Sequence, residues 1–197
     1  MTNLGRQYLP DAELRKLPFG RVGRNVLVHE RANLIELENI MIGDNVRIDA
    51  DVTILATGPV AIGNYVHIGA QCYLAGGAGI EMRDFSGLSQ GVKIYSTSED
   101  YSGRHLTNPT VPRAYLGVVR EAVLLDRHVI IGAGSVILPG VTVAEGCAIG
   151  ALSLVRRSTD PWGVYSGIPA RRVAERKRDL LALEAALLEN RPPPNRA

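Results

Sequence analysis

Cysteine is almost missing from this chain: Cys72 and Cys147 are the two among 197 residues. Two thiols so far apart do not form a disulfide framework. Aromatic residues make up only 5% of the chain, so its core is not built from large rings. Neither sign of charge dominates, since 22 Lys and Arg face 20 Asp and Glu for a net charge of +2. Without a basic excess there is no electrostatic ground for a nucleic-acid partner. No apolar run approaches the ~20 residues of a membrane span. The opening Met1-Thr2-Asn3-Leu4-Gly5-Arg6 lacks the apolar stretch of a secretory signal. A cytoplasmic protein without a membrane span is expected.

What is plentiful is glycine, at 21 residues, and short aliphatic side chains. They recur with a period of six. Val22, Val28 and Leu34 begin the series, and Ile42, Ile48 and Ile54 follow after a two-residue step. Ile62, Ile68 and Leu74 come next, then Met82, Leu88 and Ile94. The register is suspended and resumes at Leu125, Ile131, Ile137, Val143, Ile149 and Val155. The residue four places after each of these is small or Val, with Glu38 the exception. This second regularity is independent of the first and supports the same register.

A hexad with one aliphatic and one small residue suits a short strand followed by a corner. Three hexads close a triangular coil, and each strand pairs with its equivalent one coil later. The extra pairs Ile40-Met41, Val60-Ala61 and Ile80-Glu81 each keep one apolar residue and are expected to lengthen one strand per coil. Asp44, Asn64 and Asp84 fall at equivalent corners, where their side chains suit tight turns. Cys72 and Cys147 take the small position and read as core fillers.

The pattern divides the chain. Residues 1–21 precede the repeat and read as a cap on the first coil, 22–160 form the helix of strands, and 161–197 form a C-terminal segment. Within the second part, about 100–124 is an excursion from the coils, and a long loop on a rigid scaffold usually carries function. Val173 to Asn190 is expected to be helical, with Val173, Leu180, Leu181, Leu183, Leu187 and Leu188 as its apolar stripe, ended by Arg191-Pro192-Pro193-Pro194.

The hexads, the excursion and the ending Gly167-Ile168-Pro169-Ala170-Arg171 together resemble the hexapeptide-repeat acyltransferases. The likeness runs from Val22 to about Arg176. It implies an all-β fold, a left-handed parallel β-helix of hexapeptide repeats with an excursion loop and a C-terminal α-helix. The runs Asp84 to Ser89, Val92 to Ser96, Asp100 to Gly103 and Thr107 to Pro112 resemble those of bacterial dTDP-amino-sugar N-acetyltransferases of O-antigen synthesis. That resemblance implies acetyl-CoA as co-substrate, a nucleotide-linked amino-deoxy sugar as acceptor, and a homotrimer with active sites between subunits. It also implies that Gly132, Ala133, Gly150 and Ala151 lie along the pantetheine, with Pro169, Ala170, Arg171 and Arg172 near the nucleotide. Arginine suits phosphate through its permanent charge and forked donors. The same glycines also read as corner residues, and the same arginines as a solvated helix start.

Related O-acetyltransferases carry a histidine where the loop leaves the coils. Here that place reads Ser96-Thr97-Ser98-Glu99-Asp100. An amine acceptor fits this lack, because an amine titrating near the α-amino range is partly neutral at physiological pH. A neutral amine attacks a thioester without a strong base. Glu99 and Asp100 are the expected proton acceptors, with His67 as a further catalytic candidate. Tyr95, Tyr101 and Asn108 are candidates for contact with the acceptor. His29 is expected at the surface, and His128 is structural or solvent-facing. O-acetylation of a saccharide hydroxyl, with His105 or His67 as base, is the alternative. A zinc hydratase on the same coil needs two closely spaced histidines. The four here stand 38, 38 and 23 residues apart, so no metal is expected. An inert scaffold would have no use for the loop or the Gly-Ile-Pro-Ala-Arg ending.

Overall fold

A computed structural model describes residues 7–190. The expectations for Met1 to Arg6 and for Arg191 to Pro194 lie outside the described residues.

Short parallel strands stack into three faces. The first face orders Arg21–Val22, Ile40–Ile42, Val60–Ile62, Ile80–Met82, Val123–Leu125 and Thr142–Val143. The second runs from Leu27–Val28 through Arg47–Ile48, His67–Ile68, Gly87–Leu88 and Ile130–Ile131 to Ala148–Ile149, and then takes in Gly163–Gly167 and Ala170–Glu175. The third runs from Asn33–Ile35 to Leu154–Val155 through Thr53–Leu55, Tyr73–Ala75, Lys93–Tyr95 and Val136–Ile137. Each strand meets the residue one coil on, as in Ile42↔Ile62 and Ile68↔Leu88. The backbone is thereby satisfied from coil to coil.

The hexad aliphatics are the core. All are buried except Val22 and Leu34, which are partly covered in the first coil. The two-residue steps lengthen the first-face strand as expected, and Ile40, Val60 and Ile80 are buried there. Cys72 and Cys147 are both buried and free. At one edge Asp44, Asn64 and Asp84 form a ladder. Each accepts, on Oδ1, the backbone N–H of the equivalent residue one coil earlier, at 2.7–2.8 Å. The next residue along turns with positive φ in five coils: Asn25, Asn45, Tyr65, Phe85 and His128. Glu38, the exception among the small positions, falls in a short 3-10 helix, Leu37–Asn39, where no corner of the usual kind forms.

Four expectations are corrected. Residues 170–175 are a strand and not the start of a helix. Ala170–Glu175 pairs antiparallel with Gly163–Gly167, because the last coil otherwise leaves an unpaired strand edge. The helix is shorter, Leu180–Leu188. It docks through buried Ala186 and through Glu184, while Leu187 and Leu188 stay exposed. His29 is buried, not superficial, because the N-terminal segment crosses the first coil and sets Tyr8 edge-on against it at 5.5 Å. Ser98 does not hold a corner, because the coil has already been left by then. His128 takes the structural alternative: it is buried, stacks on Phe85 at 5.2 Å, and meets Glu184 at 2.9 Å.

Candidate acyl-transfer site at the neck of the excursion

The excursion leaves from a fixed point. Ser96 is fully buried; its Oγ donates to the Ala75 carbonyl and accepts the Ala78 N–H, each at 2.9 Å. Beyond it Thr97–Ser98 pairs antiparallel with Val119–Arg120, so the two ends of the loop lie side by side. The coil then resumes with Met82↔Leu125, as though nothing had intervened.

Against this neck lies a pocket of about 580 Å³ lined by Tyr95, Thr97, Ser98, Glu99, Tyr101, Leu138 and Pro139. Three of the residues expected from the sequence therefore come together: Tyr95, Glu99 and Tyr101. Burial raises the Tyr95 phenol above its usual range, with Tyr73 and Tyr101 adding to the effect. It is a neutral hydrogen-bonding group at physiological pH.

The two adjacent carboxylates differ. Glu99 is half-buried, and its Oε2 is shut off from solvent with no hydrogen-bond partner among the described residues. Such an atom carries the full cost of lost hydration until a donor arrives. Asp100 is committed elsewhere. Its Oδ1 accepts the Ser102 N–H at 2.7 Å, and its Oδ2 accepts the His105 N–H at 3.0 Å and meets His105 Nδ1 at 2.8 Å. Hydrogen bonds from Ser102, then from His105, hold its carboxyl well below the usual carboxylate range. A carboxylate so stabilised is a poor proton acceptor. Asn108 is also a turn residue: it is exposed, and its Oδ1 accepts the Thr110 N–H at 3.1 Å. Neither Asp100 nor Asn108 lines the pocket.

His67 stands on another face. Its Nε2 lies 2.8 Å from Asp49 Oδ2, and the same carboxylate takes Arg47 Nε at 2.6 Å and Tyr8 OH at 3.0 Å. Burial alone would raise the Asp49 pKa, but the hydrogen bonds from Arg47, His67 and Tyr8 outweigh it and bring it down. His67 is about half exposed and borders a groove of about 500 Å³ that also includes Tyr65, Phe85, Ser89 and Gln90. The pairing was readable in principle. Asp49 follows Arg47 by two and so faces outward with it, and Arg47 pairs in register with His67. Leu138 and Pro139 stand inside the regular hexad that begins at Ile137, where the repeat alone gives no sign of a site.

Gly132 and Gly150 both follow second-face strands. A Cβ on Gly132 would lie 2.4 Å from the Ala151 nitrogen, so the next coil already demands glycine there. Their N–H groups donate to Ile149 and Tyr165 carbonyls, each at 2.7 Å. Ala151 is exposed on the same edge and Ala133 is partly so. Pro169 and Ala170 turn into the last strand, where Arg171 and Arg172 are exposed and Arg172 pairs with Glu175. Among the described residues there is no cluster of His, Cys, Asp and Glu that could hold a metal ion. No helix there is long and apolar enough to cross a membrane.

No family model matches the chain. Individual proteins do. It is 39% identical over 180 residues to dTDP-4-amino-4,6-dideoxy-D-glucose acyltransferase from Escherichia coli, covering 90% of this chain and 93% of that one. It is 42% identical to AntD, an N-acyltransferase from Bacillus cereus solved with dTDP and 3-hydroxybutyryl-CoA, with a TM-score of 0.90 over 93% of this chain and 97% of that one. A variant of AntD has been solved with dTDP-4-amino-4,6-dideoxyglucose and coenzyme A. A putative colanic acid biosynthesis acetyltransferase, WcaF of Escherichia coli K12, is 30% identical over 77% of this chain and 78% of its own. The coils described above are thus those of a left-handed β-helix. With this fold, this identity and this coverage, the chain belongs to the CoA-dependent N-acyltransferases of nucleotide-linked amino sugars.

Proposed function

We propose that this enzyme moves an acetyl group from acetyl-CoA to the amine of a dTDP-linked amino-deoxy sugar, for surface polysaccharide such as O-antigen, with Glu99 receiving the amine's proton. The observation that carries this is the unpartnered Glu99 oxygen in the pocket at the neck. An ammonium group supplies the missing donor, and its proton passes to the carboxylate. The freed lone pair attacks the thioester carbonyl carbon, and the carbon–sulfur bond breaks. The products are an amide and CoA, whose sulfur leaves with the second proton shed by the attacking nitrogen. Tyr95 and Tyr101 contact the sugar, and Asp100 and Asn108 set the loop that carries Tyr101.

CoA is read along the edge of Gly132, Ala133, Gly150 and Ala151, with the exposed Arg171 and Arg172 beside Pro169 and Ala170 meeting its phosphates. The glycines act there as stacking residues that keep the edge low. His67, oriented by Asp49, lines a different pocket from Glu99. It reaches the reaction only if a neighbouring copy brings its second face to the neck, which is what a homotrimer with sites between subunits supplies. The soluble setting of such substrates fits a cytoplasmic enzyme.

The test is thiol release from acetyl-CoA with dTDP-4-amino-4,6-dideoxyglucose, against dTDP-glucose as the hydroxyl-only control. Turnover with the amine alone supports the reading. Turnover with the hydroxyl sugar instead would sink it in favour of O-acylation.

A further inference from the structure

The neck pocket has two unlike sides. On one stands the unpartnered carboxylate oxygen of Glu99. Thr97 and Ser98 also line the pocket, and Leu138, Pro139 and the face of the Tyr95 ring make up an apolar patch of the wall. Tyr95 and Leu138 each stand one step beyond the paired residues Ile94↔Ile137, so they are neighbours on successive coils. The wall is rigid: the Leu138 N–H donates to the Val155 carbonyl at 3.0 Å, and Ile137 behind it is fully buried. A ligand that satisfies both sides carries a cationic nitrogen and, close beside it, carbon without a hydroxyl group.

An amino sugar meets that demand in one way. With its ammonium on Glu99, an amino sugar can turn the substituent of a neighbouring ring carbon toward that wall. A methyl there buries apolar surface. A hydroxymethyl carries a hydroxyl that loses its water with no partner on Leu138 or Pro139. We propose that Leu138 and Pro139, with Tyr95, select acceptors whose ring carbon next to the aminated one bears a methyl group instead of a hydroxymethyl group. This rests on the acceptor reading above and assigns its specificity to residues outside the loop.

The experiment compares kcat/KM for dTDP-4-amino-4,6-dideoxyglucose and dTDP-4-amino-4-deoxyglucose in the wild type, Leu138→Asn and Leu138→Met. An apolar site rejects a ligand that merely adds a hydroxyl by about 100-fold. The wild type and Leu138→Met should show roughly that preference. In Leu138→Asn it should collapse to under about 10-fold, because the amide gives the hydroxyl a partner. A ratio is insensitive to a variant that merely folds less well. The same variants are assayed with acetyl-CoA and 3-hydroxybutyryl-CoA. A changed donor preference with an unchanged acceptor ratio would put the wall on the acyl side and overturn the proposal. So would a wild type that uses both sugars equally, which leaves the acceptor class intact. Wild-type inactivity with both amines would instead bring down the acceptor reading itself, and this proposal with it.

Discussion

Asp49 meets His67 at 2.8 Å on the second face, and Asp100 meets His105 at the same distance in the excursion. The side chains are alike and so are the distances, yet the surroundings set them apart. His67 projects from a paired strand and Asp49 directly follows one, so both places are fixed by the coils above and below, and the histidine borders a groove. Asp100 uses the rest of its capacity on the N–H groups of Ser102 and His105, and closes a turn. A carboxylate–histidine pair is therefore not by itself a catalytic sign. Asp49 spends its other lone pairs too, on Arg47 and Tyr8, so what decides the matter is whether a group is left open to a ligand. In the loop that group is Glu99, whose Oε2 has no hydrogen-bond partner among the described residues.

That contrast can be broken at several strengths. The scaffold comes first. Ile68 is fully buried beside His67, and Ile68→Ala should cost about 3 kcal/mol through lost burial and the cavity left behind. Denaturant unfolding reads this directly, and a loss below about 1 kcal/mol would mean that the coils repack more freely than their stacking implies. Next, Glu99→Gln keeps the shape of the pocket but cannot take a proton. Its kcat should fall about 100-fold, the lower end for a lost general base. Asp100→Asn, one residue on, should cost less than about 10-fold, because an amide still accepts one of the turn's hydrogen bonds. Equal losses for the two would erase the distinction between these carboxylates.

His67→Ala should lower kcat/KM by about 10-fold, below the full effect of a general base because it acts from another pocket. Asp49→Asn should reproduce part of that loss with a shifted pH profile. No loss in either would confine this pair to a structural role. The smallest effect concerns acidity. Asp100 has a folded pKa depressed by Ser102 and His105. Its contribution is present above the unfolded value of about 3.9 and is lost only as pH falls through the lower folded value. Limited proteolysis of the loop should therefore be the same from pH 8 to about pH 5, and a rise in cutting within that window would contradict the assigned bonds.

Most of the architecture was legible because it is periodic. Ile42, Ile62 and Met82 announce a 20-residue coil, and Leu125 shows where it resumes. The ladder of Asp44, Asn64 and Asp84 was legible for the same reason. The C-terminal segment was not. Its leucines have helical spacing, but Ala170–Glu175 answers to the open strand edge of Gly163–Gly167, a demand that arises in three dimensions. His29 was misplaced because no pattern shows that Tyr8 folds back across it. At the site, the residue types were visible and their partners were not. Nothing in Glu99-Asp100 says which carboxylate will be spent on a turn. Leu138 and Pro139 line the same pocket as Glu99 from the following coil, across more than 35 intervening residues.

The neck of the excursion has a consequence for how such chains diversify. Thr97–Ser98 and Val119–Arg120 hold the two ends of the loop together, and Met82↔Leu125 restores the register beyond it. Residues can be inserted or removed between those ends without displacing a single coil. Doubling a closed loop costs only about 0.6 kcal/mol in chain entropy. The excursion thus behaves as an exchangeable cartridge, free to be lengthened, shortened or swapped while the stack that carries it stays the same.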